Sequence, residues 1–193
     1  MVQTFILAFL QFWSLQNPNP QLPSPAVAAP TIFNLRVEQK KKNVDIVDHQ
    51  VTVKKKFFDL VFEFNQPGGV AVVASFDSTI FKQAAMGLPA KQIAGFEGIG
   101  NGGGMAEPLF NPNQEILVNN NAFNYWYYEH RTDNRFNKTN RKNNLITCYR
   151  SVGKLTFVDS QQAFDFIYAD KPVYLVFAAP DGGQVEYLKI NWK

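Results

Sequence analysis

The side chains best suited to binding chemistry lie between Asn119 and Asn144, in NNNAFNYWYYEHRTDNRFNKTNRKNN. Six aromatic rings, nine asparagines and five basic side chains share those 26 residues. Read as a strand, AFNYWYY turns Phe123, Tyr125 and Tyr127 to one side and Asn124, Trp126, Tyr128 and His130 to the other. A sandwich needs only one of these faces for its core. The second must meet a covering loop, a partner protein or a ligand. Aromatic faces flanked by amide and guanidinium groups suit sugar rings, which stack on Trp or Tyr while their hydroxyls bond to the polar neighbours. Asn124, Trp126, Tyr128, His130, Arg131 and Arg135 are therefore the candidate ligand- or partner-binding residues.

Acid–base and metal chemistry have thinner support. Glu129, His130 and Asp133 are neighbours in sequence, but on a strand running into a loop they need not converge, and a zinc site needs a further ligand. The other histidine, His49, stands far off beside Asp48. Cys148, the single cysteine, reads as a small core residue within LITCY, and one cysteine forms no intramolecular disulfide. Asp59, Glu63, Glu97, Glu107 and Glu115 could supply a glycosidase carboxylate pair only if the fold brought two together. The glycine-rich loop Gly95 to Gly104 lacks the Lys-Ser/Thr of a phosphate-binding P-loop and reads as a cover for Trp126. Asn137-Lys138-Thr139 has the form of a glycosylation sequon. No catalytic residue, metal site or cofactor is expected.

These residues must be positioned by strands. TIFNLRVE alternates Phe33, Leu35 and Val37 with polar partners, and in FFDLVFEF Phe58, Leu60, Phe62 and Phe64 share one face. NVDIVDHQVTV, VAVVASF, EILV, AFNYWYY, LITCYR, KLTFVDS, AFDFIYA, VYLVFAA and VEYLKINW read as further strands. Pro180-Asp181-Gly182-Gly183 predicts a hairpin between the last two. One short helix is predicted over STIFKQAAM, capped by Asp77-Ser78 and stopped by Gly87. Lysine triplets at Lys40 to Lys42 and Lys54 to Lys56 read as strand-end or edge protection, with contact to an anionic surface as the lesser option. The sum is an all-β chain: an antiparallel β-sandwich or jelly-roll-like domain of about ten short strands with one short helix.

At 193 residues the chain allows one such domain, over 31–193. Residues 1–30 read as a secretory signal peptide or as an apolar, proline-rich arm. MVQTFILAFLQFW is too short to span a bilayer, no charge precedes Arg36, and Ala26-Val27-Ala28 has the form of a cleavage site. A net charge of +3 is too small to argue for nucleic acid without a focused patch. The expectation is an exported or surface-associated module, periplasmic, cell-surface or extracellular, that acts by protein interaction or assembly. Its partner would be a protein or an envelope glycan, and it would not span a membrane. The alternative is a carbohydrate-binding module using the aromatic face, and the last option is a glycan-active hydrolase.

Overall fold

A computed structural model describes residues 33–65, 69–96, 115–118, 124–127, 136, 138–157, 160, 162–179 and 183–193, with 69, 115, 117 and 124–127 by backbone alone. The N-terminal signal or arm lies outside them. The described chain begins with β1 (Phe33–Gln39), β2 (Lys42–Val44), β3 (Gln50–Val53), β4 (Phe58–Phe64) and β5 (Gly69–Ser75). Helix α1 (Thr79–Ala85) and a 3₁₀ turn at Ala90–Gln92 follow. Next come β6 (Glu115–Val118), β7 (Asn124–Tyr127), β8 (Lys138–Lys142), β9 (Leu145–Val152), β10 (Lys154–Phe157) and β11 (Ala163–Phe164). A second 3₁₀ turn at Phe166–Tyr168 precedes β12 (Val173–Ala178) and β13 (Val185–Trp192).

The strands form two five-stranded sheets, β2-β1-β4-β9-β8 and β3-β13-β12-β5-β7, and a three-stranded sheet β11-β10-β6. This is an all-β, sandwich-like domain. Pairing is mostly antiparallel, but β3 runs parallel to β13 and β6 parallel to β10, so two sheets are mixed. The core forms because inward positions alternate along each strand. Phe58, Leu60, Phe62 and Phe64 of β4 are buried as their spacing predicts, with Ile146, Cys148 and Val152 of β9 beside them. Facing them are Val70 and Val72 of β5, Leu175 and Phe177 of β12, and Leu188 and Ile190 of β13. Phe62 meets Phe177 across the gap edge-on, with ring centroids 5.0 Å apart.

Helix α1 lies where STIFKQAAM places it. Its entry differs in one detail: Asp77, not Ser78, supplies the side-chain acceptor, taking hydrogen bonds from Thr79 N (3.0 Å) and Thr79 Oγ1 (2.9 Å). At its exit Gly87 takes φ 76°, the left-handed conformation that ends a helix, and its N–H donates to Ala84 O at 2.9 Å. Ile80 and Ala84 bury the helix against Ala71, Val73, Val176 and Ala178, a second apolar cluster on the outer face of the β5–β12 sheet.

Three expectations about elements change. NVDIVDHQVTV is not one strand: β2 belongs to one sheet and β3 to the other, and Asp48 and His49, both at positive φ, make the turn between Val47 and Gln50. AFDFIYA keeps only Ala163–Phe164 extended and then coils into the 3₁₀ turn, which buries Phe166 against Trp192 (5.0 Å) and Phe58 (5.8 Å). Part of the polar stretch after Tyr128 is strand: Lys138–Lys142 pairs with β9 as an outer strand. Among the described residues no helix is long and apolar enough to cross a membrane.

Candidate functional site

The aromatic stretch supplies strand β7, the last strand of its sheet among the described residues, antiparallel to β5. The register sets Trp126 opposite Val70 and Asn124 opposite Val72, and Tyr125 opposite Ala71. Directly opposed positions in a ladder share a sheet face. Positions 124 and 126 thus fall on the face where β5 contributes Val70 and Val72 to the main core, and position 125 on the face that carries α1. Tyr128, His130, Arg131 and Arg135 lie outside the described residues, as do Glu129, Asp133 and the glycine-rich loop beyond Phe96.

The carboxylates named as hydrolase candidates and described with side chains hold structural positions. Asp59 accepts a hydrogen bond from Ser151 Oγ at 2.6 Å. Glu63 pairs with Arg36, whose Nε also lies 3.3 Å from Glu38 on the same outer sheet face. Cys148 is buried, and removal from water pushes its thiol up to about 11, against the weaker opposing effects of Thr139 and Arg141. A thiol in that state is a poor nucleophile at neutral pH. His49 stacks on the Tyr187 ring, centroids 3.9 Å apart. Among the described residues no three His, Cys, Asp or Glu side chains are grouped to hold a metal ion.

A further convergence of charged side chains lies at one end of the sandwich. The lysine triplets, fourteen positions apart in the chain, meet there because β1 turns at Lys40-Lys41 while β3 ends at Val53 beside the end of β13. An open cleft of about 250 Å³ lies between them, with Lys40, Lys42, Lys54 and Lys193 on its walls and Asn43 and Thr52 among its polar groups. Gln39 holds the two runs together. Its Nε2, with two hydrogens to share, lies 3.1 Å from Lys54 O, 3.2 Å from Lys56 O and 3.2 Å from Phe57 O, and its Oε1 accepts from Lys54 N (3.0 Å). Lys55 N donates to Lys193 O at 3.2 Å, and Lys193 N to Val53 O at 3.0 Å.

The turn that delivers the first run is strained. Lys40 and Lys41 take φ 54° and 61°, the two successive left-handed residues of a tight hairpin usually filled by Asn-Gly. A side chain there costs on the order of 1 kcal/mol per residue. The repeated spacing of the triplets was the available signal. That they sit around one cleft depends on which strands pair.

Compared with protein-family models, curated proteins and solved structures, the chain matches none, so the chemistry of its own surfaces carries the functional reading.

Proposed function

We propose that the chain is an exported or surface-associated, non-catalytic β-sandwich module acting in protein interaction or assembly, and that a protein partner adds a strand to β7. The observation that supports this is the edge position of the aromatic strand. β7 pairs with β5 on one side, and among the described residues no strand follows on the other. An edge strand presents a row of N–H and C=O groups that a partner strand can satisfy. Natural edges are usually blunted by charge or proline. β8, the outer strand of the other large sheet, follows that rule with KTNRK, whereas β7 reads NYWY. Tyr and Trp are also the residues most enriched in the anchoring centres of interfaces. Export rests on the apolar N-terminal segment and its small-residue Ala26-Val27-Ala28 motif.

Single proline variants test the reading, because neighbouring N–H groups on a strand point to opposite edges. Of Tyr125→Pro and Trp126→Pro, one removes an outward donor and the other a donor to β5. Partner capture from the producing cells, or self-association by sedimentation, should be lost in the outward variant while its thermal midpoint stays near the parent's. Equal capture by the parent and both variants would sink the edge-strand reading. The carbohydrate alternative, using Asn124, Trp126, Tyr128, His130, Arg131 and Arg135, would need the core-side face to stay open at positions 124 and 126, and it has its own discriminator. Trp126 emission, isolated by difference from Trp126→Phe, would blue-shift with one glycan of a panel and with no protein fraction.

A further inference from the structure

We infer that the cleft between the two lysine runs is a binding site for a ligand carrying closely spaced phosphate groups, whether free as a polyphosphate or displayed on a lipid headgroup. The inference is independent of the β7 reading and concerns the opposite type of surface: charged, concave and preformed. Lys40, Lys42, Lys54 and Lys193 line one cleft, and none of its lining side chains is a carboxylate. Glu38, the acidic residue next to this turn, is engaged by Arg36 at 3.3 Å. Among the described residues no carboxylate pairs with any of the four lysines. The four ammonium groups give this cleft an excess of positive charge, which attracts a ligand of opposite sign.

The chemistry of the groups narrows the ligand. Lysine offers a compact charge with three donors and no planar fork, so it meets tetrahedral oxyanions from many directions without the bidentate geometry that arginine imposes on carboxylates. Four ammonium groups, offset in part by the α-carboxylate of Lys193, call for more than one negative charge on the ligand. The cleft, of about 250 Å³, is open to solvent along one side and has room for more than one oxyanion. Asn43 and Thr52 add neutral donors for bridging oxygens. The cleft is also held in shape without ligand, since the Gln39 amide spends its bonds on the backbone of the Lys54–Phe57 segment. Phe57, Ile167 and Tyr168 are exposed at the same end, with Lys55 Nζ 3.3 Å from Ile167 O, but Asp165 and Asp170 flank the second 3₁₀ turn. The phosphate, not the lipid chain, is therefore the recognised group.

The test titrates the full chain with inorganic tripolyphosphate at low and at physiological ionic strength. In parallel it measures co-sedimentation with phosphatidylcholine vesicles with and without an anionic phospholipid. Binding should weaken steeply with salt, with a log–log slope of about −3 to −4 if four lysines act. Lys40→Gln with Lys54→Gln should lower affinity about tenfold and flatten the slope by about two. Lys82→Gln with Lys91→Gln, on the helix side, should change little. A second variant guards against misfolding: Lys40→Asn with Lys41→Gly suits the turn better, so it should melt higher and bind more weakly. Capture by anionic vesicles but not by tripolyphosphate, lost in the Lys40/Lys54 pair, would assign the phosphate to a lipid. No binding to either, or equal loss in both lysine pairs, would overturn the site.

Discussion

The sheet built on β4 and β9 buries one face, whereas the sheet built on β5 and β12 buries both, and the two respond to this in different ways. On β9, Ile146, Cys148, Arg150 and Val152 are buried while the residues between them are partly open. Across β5 and β12 almost every residue is buried: Val70, Val72, Leu175 and Phe177 toward the core, and Ala71, Val73, Val176 and Ala178 toward α1. The outer face of the first sheet solves its exposure with charge, through Arg36, Glu38, Glu63 and Asp59. The outer face of the second solves it with a helix. One interior is thus shared by both sheets, and one thin outer layer belongs to the second alone.

Removing a side chain from the shared interior should do the most damage. Phe62 is fully buried and packs against Phe33, Phe64, Phe136 and Phe177 with centroids 5.0 to 6.4 Å apart. Phe62→Ala should cost about 3–5 kcal/mol, read in urea as a lower midpoint with loss of both sheets in one transition. Ile80→Ala tests the outer layer. It should cost about 2–3 kcal/mol, and amide exchange should quicken in α1 while β4 and β9 keep their protection. Equal loosening of β4 and α1 would mean the two layers form a single cooperative unit.

The difference between the sheets also explains what could be read from the sequence. Period-two alternation in FNLRVEQ, FDLVFEF and LITCYRSV marks strands with one buried face, and those strands lie where the pattern puts them. VAVVASF and VYLVFAA are legible as doubly buried because the apolar run continues. AFDFIYA alternates equally well, yet it coils at Phe166, because a socket under Trp192 and Phe58 outweighs local preference. The split between β2 and β3 was hidden for the same kind of reason: it depends on the parallel pairing of Gln50 to Val53 with β13, nearly the whole chain away. The aromatic stretch showed itself as a strand, but that it comes last in its sheet among the described residues is a matter of pairing order. The lysine cleft follows from the same pairing and could not be seen in either triplet alone.

The charged outer face of the first sheet should matter much less than either apolar layer. Arg36 is one-third exposed and bonds Glu63 and Glu38. An ion pair in that position contributes under about 1 kcal/mol and is screened by salt. Arg36→Ala should therefore lower the urea midpoint only slightly, and the difference from the parent should shrink as salt is added. A loss comparable to that of Ile80→Ala would show that the Arg36 stem, which lies opposite fully buried Val61, covers that face by packing and not by charge.

Glu186 separates the two sheets by the sign of its effect. It lies opposite Phe177 on β13, at the alternation shared by buried Leu188 and Ile190, so it is an acid on a strand whose neighbours are taken from water. Burial raises its pKa above the ordinary 4.5, and neither the nearby charge of His49 nor a hydrogen bond with Gln184 cancels that. A carboxyl with a raised folded pKa favours the native state fully below the unfolded value, and loses that advantage as pH climbs through the raised one. At neutral pH the fold therefore holds an ionised group at a small cost, unlike Glu63, whose charge is met by Arg36. Glu186→Gln should raise the melting midpoint at pH 7 by no more than about 2 °C, and the gain should disappear as the pH is lowered to about 4.5. A midpoint that falls at pH 7 would show that the partners of Glu186, His49 and Gln184, together outweigh its burial.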